Sequence, residues 1–157
     1  MLYDHTSTSA RYNAEAHFPP PLCHLGTQEA VLKALKHWAK QDMLVAGSEG
    51  DDTFRTNRPH EQIHWLYGPA GAGKSAIAQT FAEACAKDGT LAGAFFFWRA
   101  DPSRNNPRQL FTTLALQLAT TLPELRSIMN SVIVNNLAVL TSIEIQFEQL
   151  ILWPCLK

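Results

Sequence analysis

The segment "IHWLYGPAGAGKSAIAQTFAEAC", Ile63 to Cys85, constrains this chain more than any other. An apolar and aromatic run, Ile63 to Tyr67, ends at a glycine. "GPAGAGKS" follows, and then Ile77, Phe81, Ala84 and Cys85 recur at helical spacing. The eight residues from Gly68 to Ser75 fit GxxxxGK[ST] without a gap, and each part of that pattern has a physical task. Glycines let the backbone fold into a nest of N–H donors, and the helix that follows turns its partial positive end to the same point. Lys74 supplies a point charge for β- and γ-phosphates, and the hydroxyl of Ser75 can ligate Mg²⁺. The candidate nucleotide-binding set is Gly68, Pro69, Ala70, Gly71, Ala72, Gly73, Lys74, Ser75 and Ala76, with Ser75 as the metal contact through the nucleotide. No catalytic residue is assigned.

The order of elements around this loop sets the expected fold class. Ile63 to Tyr67 reads as a buried parallel strand, Gly73 to Lys87 as a helix stopped by Asp88-Gly89, and "LAGAFFFW", Leu91 to Trp98, as a second strand. Strand, glycine loop, helix and strand make a βαβ unit, so the expectation is α/β: a partial P-loop NTPase fold, followed by several helices, with an incomplete parallel sheet.

Helices are expected on either side of that unit. Thr27 is an available N-cap for a helix to about Lys40, with Val31, Leu35 and Trp38 on one face. Asn106-Pro107 opens a helix lined by Leu110, Phe111, Leu114 and Leu118. Leu125, Ile128, Met129, Val132 and Ile133 line the next, and Thr141 with Glu144 has capping-box spacing ahead of Phe147, Leu150 and Ile151. Asp101 reads as a turn residue before Pro102. Residues 1–22 are polar and contain Pro19-Pro20-Pro21, which suggests a disordered arm before a domain over 23–157. "GSEGDDTFRTNRPHE" reads as a solvated loop.

Thirteen basic against fourteen acidic side chains give no electrostatic reason to expect nucleic acid or an anionic membrane as partner. Cys23, Cys85 and Cys155 are widely spaced and odd in number, which suggests reduced thiols. With no leader pattern at the start, a cytoplasmic protein is expected.

Two other motifs compete for the same residues. "HEQIH", His60 to His64, is HExxH, the pattern of a zinc protease, with Glu83 downstream as a possible third ligand. It requires a helix where the phosphate reading requires extended chain. A dinucleotide reading of "GAGKSA" leaves Gly68 and Lys74 unexplained and finds no acid at Trp98.

"CHLGTQEAVLKALKHW", "IHWLYGPAGAGKSAIAQTFAEAC", "LAGAFFFWRADPSRNNPRQLFTTLALQLA" and "LPELRSIM" together resemble the NACHT module of fungal signal-transducing ATPases, the nephrocystin-three-like N-terminal domain. The resemblance runs from about Cys23 to about Leu150. It implies ATP or GTP bound with Mg²⁺, slow hydrolysis, and a nucleotide-dependent switch coupled to homo- or hetero-oligomerisation with NACHT proteins. It also implies that Cys23 to Thr27 lie near the base of the nucleotide, and this sequence carries Gln28 where the family usually has arginine. Arg99 and Arg104 are either solvent-facing charges or phosphate-sensing or interface residues. Family members continue into an apolar strand ending in paired acids. No run of four apolar residues followed at once by an acid occurs here after Ser75, so a truncated module, poor in hydrolysis, is expected. The alternatives are a non-catalytic adaptor whose helices Pro107 to Leu152 pair with a full-length relative, a small-molecule kinase, and the zinc protease.

Overall fold

A strand exists only where a neighbouring chain takes up its backbone hydrogen bonds, whereas a helix satisfies its own. That asymmetry decides this fold. The computed structural model describes residues 2–15, 19–46 and 63–156, and among them there are helices and no strand. The expected α/β class, with its βαβ unit and parallel sheet, is therefore corrected to a helical fold, and the P-loop nucleotide-binding fold is not what these residues build. Ile63 to Tyr67 carries no ladder, and Ile63, Trp65 and Tyr67 are about four-fifths exposed, at 82%, 79% and 81%. Leu91 to Trp98 carries no ladder either. Good strand-forming composition is not enough without a partner strand.

The helices are α1 (Glu29–Ala46), α2 (Lys74–Lys87), α3 (Leu110–Thr121), α4 (Pro123–Asn135) and α5 (Ile143–Gln146). A π-helical stretch, Phe147–Leu152, continues α5 into α6 (Trp153–Cys155). The chain divides into two compact units, Met1–Pro19 with Cys85–Lys157, and Pro20–Ala84.

In the first unit the core is Ala115 and Ala119 of α3, Leu125, Met129 and Ile133 of α4, with Val139 and Leu150. The α4 stripe is the one its 3.6-residue period predicts, and burying a side chain such as Met129 is worth about 1.5–3 kcal/mol. On α3 the expected stripe Leu110, Phe111, Leu114 and Leu118 is only partly buried, while Thr112, Thr113, Ala115, Gln117 and Ala119 are buried. The reason is that α3 is covered on more than one side. Its small residues meet α4, and its polar ones satisfy irregular backbone. Thr113 Oγ1 accepts the amide of Ser7 at 2.8 Å, Thr112 Oγ1 donates to His5 O at 2.6 Å, and Gln117 bonds Ala94. Residues of the 2–15 segment are held by these hydrogen bonds, with Ser7 and Ala10 buried.

Pro154 explains the π-helical stretch. Its ring offers no N–H and would crowd the carbonyl four residues back, so a wider turn before it relieves the clash. The expected capping box does not form: Ser142 occupies the N-cap without a side-chain bond, and Thr141 Oγ1 donates instead to Ala138 O at 2.9 Å.

In the second unit α1 runs past the expected end at Lys40 to Ala46, because no helix breaker intervenes before Gly47. Thr27 is not its cap. Its hydroxyl and amide both bond His24 O, at 2.7 and 3.0 Å, and Gln28 takes the N-cap place, its carbonyl accepting the Leu32 amide at 3.0 Å. Gln28 does so at φ 58°, a left-handed conformation that strains a residue with a Cβ. Cys23 N donates to Thr80 Oγ1 at 3.0 Å, tying the segment before α1 to α2.

Candidate functional site

Pro69 to Ala72 closes a turn, Ala72 N to Pro69 O at 3.3 Å, in which Gly71 sits at φ 82°. A type II turn requires that value at its third residue, which is why a glycine is needed there. Gly73, at φ 79°, then passes the chain into α2. The first bond of the helix runs from Ile77 N to Gly73 O at 2.9 Å, so the amides of Lys74, Ser75 and Ala76 precede the ladder, as first-turn amides do. A methyl group on Gly73 would lie 3.9 Å from Gln28 Nε2, so the Gln28 amide borders the loop.

The electrostatics of this helix end are set by Lys74, since the first turn of α2 holds no acid, as is also true of α3. An acid in the first turn complements a helix dipole, and α1, α4 and α5 have Glu29, Glu124 and Glu144 there. The first turn of α2 has no acid and begins with Lys74. Its ammonium folds back onto the loop, donating to Gly68 O at 2.9 Å and Pro69 O at 2.7 Å. Ser75 is exposed beside it. A positive side chain at the positive end of a dipole disfavours the helix and favours an anion. Gly68, Pro69, Ala70, Gly71, Ala72, Gly73, Lys74, Ser75 and Ala76 are contiguous around that one point.

The remaining candidates fall elsewhere. Arg99 is exposed. Arg104, read as either solvent-facing or phosphate-sensing, is 1% exposed and engaged within its own unit: its guanidinium lies 4.6 Å from the Trp98 ring centre, donates to Ser9 O at 2.9 Å and ion-pairs with Asp101 at 2.9 Å. Asp101 is the turn residue expected, and more. It accepts the Ser103 hydroxyl at 2.8 Å, the Ser103 amide at 2.9 Å and the Ser9 hydroxyl at 2.8 Å. Those bonds, the Ser103 hydroxyl first, hold its carboxyl at about 2, with the Arg104 charge assisting. Sequence reasoning missed this cluster because its partners are about 90 residues apart in the chain.

Of the zinc motif, His60 and Glu61 lie outside the described residues, as does the expected loop of which they form the end. His64 packs its ring against Trp38, centroids 5.6 Å apart, and Glu83 accepts from Gln79 Nε2 at 3.0 Å. Among the described residues no three metal-type side chains gather. The cysteines described are free thiols, and no described helix is long and apolar enough to cross a membrane.

A glycine loop, a lysine and a hydroxyl thus stand together at the start of one helix of a helical scaffold. The chain belongs to the nephrocystin 3 N-terminal family, whose pattern it matches over residues 48–154, a stretch that contains the whole loop. No curated protein and no solved structure matches it.

Proposed function

We propose that the chain is a nucleoside-triphosphate-binding module of the signalling type within this family, working in the cytoplasm, with ATP or GTP and Mg²⁺ as its ligands. The loop Gly68 to Ala76 receives the phosphate tail, Lys74 offsets the charge of the β- and γ-phosphates, and Ser75 is the protein's contact to Mg²⁺. The observation that carries this reading is the lysine at the start of α2, whose ammonium lies over the glycine loop in a first turn that, like that of α3 and unlike those of α1, α4 and α5, holds no acid. The reading rests on the loop and the first helical turn, so it does not need a sheet.

Equilibrium dialysis with ATP and with GTP, each with and without Mg²⁺, tests the assignment. Binding is stronger with Mg²⁺, and Ser75→Ala removes that difference. Binding that Mg²⁺ does not strengthen in the unaltered chain would refute the role of Ser75.

A second reading, an adaptor that pairs with a full-length relative, is favoured by the surface of the helical unit. A groove of about 550 Å³ between α4 and the π-helical stretch is lined by Val132, Leu152, Trp153 and Leu156, with Val134 and Leu137 also exposed. Pairing of this kind survives Lys74→Ala, whereas nucleotide binding does not.

A further inference from the structure

Between α2 and α3 the backbone is bonded at every second residue. Ala94 N donates to Gln117 Oε1 at 3.1 Å, and Ala94 O accepts from Gln117 Nε2 at 2.9 Å. Phe96 N donates to Ala10 O at 2.8 Å, and Trp98 N to Arg104 O at 3.0 Å. The intervening residues share another feature: the rings of Phe95 and Phe97 meet, centroids 4.8 Å apart. Bonds at alternate residues, with rings two apart on one face, are the marks of extended chain. In such a chain the N–H and C=O of one residue point to one edge and those of the next to the other. One edge, that of Ala94, Phe96 and Trp98, is thus taken up by the rest of the unit. The backbone groups of Phe95 and Phe97 point to the opposite edge and make no hydrogen bond among the described residues.

An open edge of this kind is a template for another chain, and proteins blunt it with lysine, proline or inward-pointing charge. From Leu91 to Trp98 there is no charged residue and no proline. Phe97 and Trp98 are 58% and 52% exposed, so the edge is reachable. Arg99, the first charge, stands beyond the last of these residues.

We propose that two copies of the chain pair here, edge to edge and antiparallel, about a two-fold axis at Phe96. Phe95 of each copy then faces Phe97 of the other, and each such pair exchanges both of its N–H···O=C bonds. The aromatic pair of one copy meets the same pair of the other, the kind of cross-strand contact that stabilises a ladder. A second copy fits this edge for two reasons. The same residues supply donors, acceptors and rings on both sides, as a two-fold interface requires. The paired stretch is uncharged, and the two Arg99 side chains fall at opposite ends of it, so like charges do not meet. Because the other edge is already occupied, association closes at the dimer. The strip covered is well below the roughly 800 Å² per partner of a standard interface, so the dissociation constant is weak, about 0.1 mM. No residue of the glycine loop takes part.

The test is a dilution series of the ¹⁵N-labelled full chain from millimolar to micromolar, read by sedimentation velocity and by amide hydrogen exchange in nuclear magnetic resonance. Sedimentation shows monomer and dimer in exchange and nothing larger. The Phe95 and Phe97 amides exchange about fivefold more slowly at the millimolar end, because most molecules are then paired. The Phe96 and Trp98 amides, bonded within the chain, keep one rate throughout. Phe97→Lys retains the N–H but puts a charge on the edge, and it weakens the dimer by about tenfold or more. A chain that stays monomeric at millimolar concentration would overturn the proposal. So would a dimer in which the Phe95 and Phe97 amides exchange at the monomer's rate, or one that Phe97→Lys leaves unchanged. Should Phe97→Lys fail to fold, the contrast between the two sets of amides in the unaltered chain decides alone.

Discussion

Gln117 bonds both backbone groups of Ala94: its Oε1 accepts the Ala94 amide at 3.1 Å and its Nε2 donates to the Ala94 carbonyl at 2.9 Å. A side-chain amide on α3 thus does for one residue of "LAGAFFFW" what a neighbouring strand does for a whole segment. Phe96 N, bonded to Ala10 O at 2.8 Å, adds a second tie to the N-terminal segment. Gln117→Ala leaves a donor and an acceptor unpaired in a part-buried place and costs about 2–3 kcal/mol. Gln117→Glu keeps the acceptor, loses the donor, and also places a charge in the site, so it is destabilised as well. Urea unfolding measures both variants. A change below about 0.5 kcal/mol for Gln117→Ala, the range of an ordinary surface substitution, would contradict this role.

Asp101 makes stability depend on pH in acid solution. Its carboxyl is held at about 2 in the folded chain, below its ordinary value of 3.8. A lowered carboxyl pKa stabilises the fold above the unfolded value, and that contribution disappears as pH falls toward the folded one. The contribution of Asp101 is therefore complete above about pH 5 and lost between about pH 4 and pH 2. Thermal unfolding across that window shows the loss, and Asp101→Asn, less stable at neutral pH, converges on the unaltered chain as the pH drops. A constant gap between the two down to pH 2 is the opposing result.

Gln28 holds a left-handed backbone at the start of α1. Gln28→Gly removes a strain of about 1 kcal/mol, partly offset by the greater freedom of glycine in the unfolded chain. The variant is as stable as the parent or slightly more so in urea unfolding. Destabilisation by more than about 1 kcal/mol would show that the amide beside Gly73 matters more than the backbone it strains.

Met129 is 1% exposed at the centre of the α3 and α4 contact. Met129→Ala costs about 2–5 kcal/mol, the range for emptying a packed core site. A loss of less than about 1 kcal/mol would place the core elsewhere.

The sequence made the helices legible, because a helix is written locally. The α4 stripe, the end of α2, and the loop with its lysine all followed from neighbours in the chain. The end of α2 is closed by Thr90 N to Cys85 O at 2.9 Å and Gly89 N to Ala86 O at 3.2 Å, where Lys87-Asp88-Gly89 had indicated a stop. Strands are different. Ile63 to Tyr67 has the composition of a strand, but whether it becomes one depends on residues elsewhere that supply hydrogen bonds. The same limit hid Arg104 and Ser9, which meet across 95 positions. Gln117 showed its polar face plainly, yet nothing near it in the chain identified Ala94 as the backbone it would satisfy.

The account depends most on what the loop from Gly68 to Ala76 can hold. Isothermal calorimetry of the folded chain with Mg-ATP addresses it directly, with Lys74→Ala, matched in helix content by circular dichroism, as the comparison. The account predicts saturable one-to-one binding that Lys74→Ala weakens by about tenfold or more, the loss of one charged contact. No binding by the unaltered chain to Mg-ATP or Mg-GTP, or equal binding by the variant, would contradict it.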